Sequence, residues 1–177
     1  MKLHAIAGDI TGLAVDAIVN AANCRLNGGG GVDGAIHRAA GPELLKECLQ
    51  IGGCPTGEAV ITSAYNLPCR YVIHTPGPVW RGGGRQEAER LAACYRNSLM
   101  RAAEKHCRTV AFPCISTGVY RFPAEAAARI AVETVRKWDG NFPEEVFFCC
   151  FRESDLNLYR KYLSGPDGGH NPDSPRA

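Results

Sequence analysis

Short apolar runs of strand character alternate with longer segments of helical period along the chain, and this alternation limits the possible folds more than any other feature. The strand-like runs are "LHAIA" (3–7), "AIVNAA" (17–22), "AVITSA" (59–64), "RYVIHT" (70–75), "TVAFPCI" (109–115) and "VFFCCF" (146–151). Several are apolar on both faces, so the sheet they build has to be covered on both sides. Residues 87–106 place Leu91, Ala92, Tyr95, Leu99 and Ala102 on one helical stripe, and residues 124–138 do the same with Ala127, Ile130, Ala131 and Val135. Pro123 suits a first helical position. Gly41-Pro42 divides an early helical run (about 33–40) from a second (43–50), and a last helix is predicted at about 154–163. The pattern predicts an α/β sandwich with helices on both faces of the sheet. In such folds ligands bind beyond the carboxyl ends of the strands. One domain is expected over 1–163, with 164–177, "SGPDGGHNPDSPRA", read as a frayed tail.

Bulk properties exclude several function classes. A net charge of +2 lacks the basic excess of a dedicated nucleic-acid binder. Arginines 81, 85, 90, 101 and 108 and Lys105 crowd one region, but Glu87, Glu89 and Glu104 interleave with them, as on an ordinary solvated helix face. The nine cysteines form no C-x-x-C pair and are odd in number, so free thiols in a reducing, cytoplasmic setting are expected. No apolar run approaches the roughly 18 residues of a membrane span. Asp9 interrupts the apolar stretch that a signal peptide would need at the front.

The segment "NAANCRLNGGGGVDG" (20–34) leaves a strand and opens a helix. Four successive glycines carry a large entropic cost, so a backbone free of side chains has to serve a purpose there. Glycines at a helix start let main-chain N–H groups converge on an anion, and a diphosphate is the natural guest. Gly29, Gly31 and Gly34 satisfy G-x-G-x-x-G literally, but the preceding "NAAN" and the acid inside the turn depart from a dinucleotide fold. No Lys-Ser/Thr follows, which excludes a P-loop. A second strand-to-helix loop, "ISTGVYRFP" (115–123), could clasp the same diphosphate from the other side.

Together "GDIT" (8–11), "VDAIVNAAN" (15–23), "GGGGVDGAIHRAAG" (28–41), "CPTGEAVIT" (54–62), "VIHTPGPVW" (72–80) and "FPCISTGVYRFP" (112–123) resemble the macrodomain family, in particular its MacroD-type branch. The resemblance implies a three-layer α/β/α sandwich with a mixed central sheet and a cleft for ADP-ribose. It also implies a hydrolase that releases ADP-ribose from modified acidic side chains or deacetylates O-acetyl-ADP-ribose, without metal or cofactor. ADP-ribose, its esters and ADP-ribosylated proteins are the implied partners of a monomer that needs neither membrane nor nucleic acid.

Carried over by residue, Asp9 accepts from the adenine amino group beside the Ile10 backbone, since a carboxylate can only accept. Gly29, Gly30, Gly31, Val32 and Gly34 belong to the first phosphate loop; Ser116, Thr117, Gly118, Val119 and Tyr120 form the second. Tyr120 also packs on the distal ribose, and Phe151 is the candidate to stack on adenine. Asn20 and Asn23 face the distal ribose, and Asp33 positions and polarises the attacking water. A helix N-terminus stabilises Asp33 as the anion while the diphosphate opposes it, which leaves full proton abstraction open. His37 and His74 read as structural. Arg121 and Phe122 depart from the family's usual glycine and tyrosine. Two other functions compete: an ADP-ribose reader without turnover, and an RNA-binding or regulatory surface.

Overall fold

The computed structural model describes residues 1–165; all but the first two positions of the predicted tail lie outside them. Six strands form the sheet: β1 (Lys2–Ala7), β2 (Ala17–Ala22), β3 (Val60–Ser63), β4 (Tyr71–Pro76), β5 (Thr109–Phe112) and β6 (Glu145–Cys150). Five helices accompany them: α1 (Gly31–Ala40), α2 (Pro42–Ile51), α3 (Glu87–Glu104), α4 (Ala124–Arg136) and α5 (Glu153–Leu163). The sheet order is β1-β6-β5-β2-β4-β3, parallel throughout except for β3, which runs antiparallel to β4. The sheet is therefore mixed, as expected.

Side-chain alternation along each central strand produces the layers. In β2, Ala17 and Val19 join one buried cluster while Ile18 and Ala22 join the other. β4 divides Ile73 from Val72 in the same way, and β5 divides Val110 and Phe112 from Ala111. The larger cluster packs under α3, α4 and α5; the smaller packs under α1 and α2. Tyr95, Phe112 and Phe148 fill the first with rings 4.9 and 6.2 Å apart between centroids. Burying side chains of this size contributes roughly 1.5–3 kcal/mol each.

Element boundaries differ from the sequence reading where backbone chemistry overrides hydropathy. The run at 109–115 ends as a strand at Phe112, because Pro113 has no N–H to continue the ladder. α1 starts at Gly31, two residues early, so Asp33 lies inside its first turn. Phe151 falls just past β6. All nine cysteines are free thiols, and Cys149 and Cys150 are buried. No helix among the described residues is long and apolar enough to cross a membrane.

Candidate active site

Four parallel neighbours, β1, β6, β5 and β2, bring their carboxyl ends to one edge of the sheet. In that order they deliver Asp9, Phe151, the 116–120 loop and the 23–34 segment. Backbone bonding of Gly8 N–H to Cys150 O at 3.2 Å ties the Asp9 turn to the Phe151 end. Asp9 caps the short 3-10 turn Ile10–Gly12, its Oδ1 accepting from Thr11 N at 2.9 Å and Thr11 Oγ1 at 2.7 Å. The Thr11 hydroxyl, and then its N–H, hold this carboxyl below the ordinary carboxylate range. Ile10 buries its side chain in the smaller cluster.

The first loop is shaped by Asn23. Its Nδ2 donates to Asn27 Oδ1 and to Gly28 O, both at 2.9 Å. Gly28 and Gly31 take φ of 80° and 59°, a region that side chains resist. Gly34 is required for another reason: a Cβ there would lie 2.5 Å from Gly29 O, because α1 packs against its own entry loop. Gly30 stands at the N-cap with no side chain to cap the helix. Among the described residues, the N–H groups of 28 to 33 have no hydrogen-bond acceptor. Bare donors at the positive end of a helix form an anion site.

Asp33 is buried at 6% exposure, yet it receives nothing from this loop. Its Oδ1 accepts from Asn20 Nδ2 at 2.8 Å and lies 3.3 Å from His37 Nε2. The same Asn20 amide group lies 3.1 Å from His74 Nδ1. Since a carboxylate can only accept, that group is the NH2, and His74 Nδ1 must accept as well. The ring proton then sits on Nε2 and donates to Thr62 Oγ1 at 2.9 Å, while the Thr62 hydroxyl donates to Ser63 O at 3.1 Å. Burial, aided by His37, pushes His74 down to about 3, so it stays neutral and keeps this acceptor. The Asn20 NH2 thus donates in two directions, to one oxygen of Asp33 and, through His74 and the Thr62 hydroxyl, toward Ser63 O. Asp33 Oδ2 lies 3.2 Å from the point a Cβ on Gly29 would occupy. Glycine leaves that space open.

The second loop follows β5. Phe122 N–H to Ser116 O at 2.9 Å and Arg121 N–H to Gly118 O at 3.0 Å close it into a ring. Ser116 and Arg121 adopt φ of 66° and 61°. Among the described residues the N–H groups of 116 to 120 find no acceptor. A Cβ on Gly77 would collide with Ser116 Oγ, so β4's exit loop is held tightly against this one. Two buried polar atoms without partners, Asn20 Oδ1 and Ser116 Oγ, both belong to this edge. On the rim, Val119 and Phe151 are 91% and 89% exposed, the largest exposures among the bulky apolar side chains. The matching protein model is that of the Macro domain, over residues 19–131.

This chain belongs to the macrodomain family. A macro domain-containing protein of Chlorobaculum tepidum is 63% identical over 92% of this chain and 95% of its own length. A Shigella flexneri protein named O-acetyl-ADP-ribose deacetylase is 54% identical over 92% and 96%. The structure of the Trypanosoma brucei macrodomain in complex with ADP-ribose superposes with a TM-score of 0.85 at 46% identity, covering 91% of this chain and 68% of that one.

Within the macrodomain, one placement differs from the sequence reading. Asn20, expected at the distal ribose, is fully enclosed and spends its amide on Asp33 and His74. His74 and His37, read as structural, both touch the Asp33 network. A usable signal existed: Asn20 and His74 each stand fourth in a six-residue strand that is otherwise mostly apolar, and they are paired across the β2–β4 ladder. Phe122 is buried against Trp80, ring centroids 4.9 Å apart, so it anchors the second loop from below. Among the described residues no cluster of three metal-ligating side chains occurs.

Proposed function

We propose that the protein is an ADP-ribosyl ester hydrolase, acting on ADP-ribose attached to acidic side chains or on O-acetyl-ADP-ribose. The observation that carries this reading is a buried carboxylate held through one oxygen, with its other oxygen turned toward a glycine surrounded by bare N–H groups. A reader of ADP-ribose would need the N–H groups but not the carboxylate, whose burial is costly without a use. The deacetylase name of the Shigella relative and the ADP-ribose bound to the trypanosomal one agree with the reading.

In this mechanism the N–H groups of Gly29 to Asp33 and Ser116 to Tyr120 surround the diphosphate and stabilise its charge. Asp9 and the Ile10 backbone receive adenine, and Phe151 lies over its face. Asn23, whose NH2 holds the first loop in shape, offers its carbonyl oxygen to a hydroxyl of the distal ribose, and Tyr120 closes over that sugar. Asp33 Oδ2 accepts a hydrogen bond from water and aims its lone pair at the ester, while Asn20 prevents the carboxylate from rotating. One water is consumed; ADP-ribose and the free carboxylic acid leave. Holding a water in line in this way accounts for part of the barrier reduction without requiring a strong base.

The test is turnover and binding measured together. Asp33→Ala should lower kcat on an ADP-ribosylated glutamate peptide by about 100-fold or more, roughly 2.7 kcal/mol, with the Kd for ADP-ribose changed less than threefold. A wild type that binds ADP-ribose and hydrolyses no ester would reduce the protein to a reader.

A further inference from the structure

The sequence gives arginines 81, 85 and 90 nearby acids, but the fold takes the nearest one away. Glu87 points inward at 2% exposure and accepts from the backbone N–H groups of Arg81 (2.9 Å), Gly83 (2.8 Å) and Arg85 (2.6 Å). These bonds, Arg81's foremost, hold its carboxyl down to about 2. Farther along α3, Arg101 has its own partner in Glu104 at 2.7 Å. Among the described residues, no carboxylate oxygen lies within 4.0 Å of a guanidinium nitrogen of Arg81, Arg85 or Arg90. These three arginines, with Thr56, Pro78 and Val79, line a hollow of about 270 Å³.

Its place in the sheet gives the hollow a meaning. The row of carboxyl ends that carries Asp9, Phe151, the second loop and Asp33 continues by one strand, β4, whose exit loop bears Arg81 and Arg85. Trp80 N–H donates to Tyr120 O at 2.8 Å, and Thr56 Oγ1 lies 3.4 Å from Sγ of Cys24, the neighbour of Asn23. The hollow is therefore the next station past the ester end of the cleft, where the carrier of an ADP-ribosyl group has to lie.

We propose that this hollow binds acidic residues flanking the modified side chain, so that the enzyme selects ADP-ribosylated glutamate or aspartate within acidic peptide segments. Planar guanidinium groups pair with carboxylates through two hydrogen bonds each. Pro78 and the 40%-exposed Val79 supply an apolar wall suited to a peptide main chain. A polynucleotide would need a basic track extending beyond the hollow, and the paired Arg101 does not extend it. The loop that carries Arg81 and Arg85 is fixed by Glu87 before any substrate arrives, which lowers the ordering cost of binding.

This inference rests on the proposed ester-hydrolase reading, so its experiment has an arm for each. Two peptides of equal length, each with one ADP-ribosylated glutamate, carry either Asp/Glu or Ser/Asn flanks. The wild type and an Arg81→Gln, Arg85→Gln, Arg90→Gln triple variant are compared at low and high salt, with free ADP-ribose titrated in parallel. The wild type should favour the acidic peptide in kcat/KM by roughly tenfold at low salt, through KM. The triple variant should abolish that preference, leaving the neutral peptide and the ADP-ribose Kd unchanged, and high salt should abolish the preference in the wild type. Peptide Kd serves as the same readout if binding occurs without cleavage. Equal handling of both peptides by the wild type overturns the inference alone. So does a triple variant that loses turnover only on an ADP-ribosylated, phosphate-ended oligonucleotide. Failure to bind free ADP-ribose overturns the hydrolase reading and the inference with it.

Discussion

Two segments of this protein share one description: a run of glycines, then a helix with an acid in its first turn. "GGGGVDG" leads into α1 with Asp33, and "RGGGRQE" leads into α3 with Glu87. Both acids are buried, at 6% and 2% exposure. Glu87 is saturated by three N–H groups of its own loop, which is thereby closed. Asp33 takes nothing from its loop and is held from behind by Asn20 and His37, so the loop's N–H groups stay bare. A glycine run becomes an anion site only when its neighbouring acid is engaged elsewhere.

Mutations can break each half of this contrast. The largest effect after loss of Asp33 itself is expected at Gly34→Ala. Its new Cβ would meet Gly29 O at 2.5 Å, backbone that has to move. ADP-ribose affinity should fall about tenfold or more, together with roughly 1–3 kcal/mol of stability by denaturant melting. An unchanged Kd would mean that the first loop's shape is not what binds the diphosphate.

His74 separates support from chemistry. His74→Phe removes the acceptor of one Asn20 N–H and the donor to Thr62 Oγ1, at about 1–3 kcal/mol for the buried N–H left unpaired, and should lower kcat through a loosened Asp33. His74→Gln can accept from Asn20 and donate to Thr62, and should retain most turnover. The sign with pH follows from a histidine lowered from 6.5 to about 3. The unfolded chain takes up a proton near 6.5 that the folded one refuses, so the stability is present above that pH and is lost progressively as pH falls toward about 3. Urea melts across that range should show the loss in wild type and a flatter profile in His74→Gln.

The smallest effect on ligand binding is expected at Glu87→Gln. It should loosen the 81–86 loop while leaving ADP-ribose affinity within about twofold, a difference under roughly 0.5 kcal/mol. Glu87 lies below its ordinary 4.5, at about 2. Its contribution is therefore present above 4.5 and disappears as pH falls through 2, so wild-type and variant melts should converge across that window.

The sequence carried the layers and the position of both loops between strand and helix, because burial of apolar strands and glycine at helix starts are local signals. It did not carry how the acids are used. Glu87 among arginines reads as a surface counter-charge until the 81–86 loop folds back onto it. Asn20 next to a glycine loop reads as a ligand contact until β4 pairs with β2 and brings His74 alongside at Cα register. Hydrogen bonds between strands distant in sequence leave little trace in either segment alone. The departure at Arg121 is partly explained: its φ of 61° is the conformation a glycine would take without strain.

Amide resonances followed by NMR during an ADP-ribose titration would test the contrast most directly. The N–H signals of 29–33 and 116–120 should move together and saturate at one stoichiometric equivalent, while those of Arg81, Gly83 and Arg85, already bonded to Glu87, stay in place. Movement centred on the Glu87 loop, with the amides around Asp33 unchanged, would contradict the account.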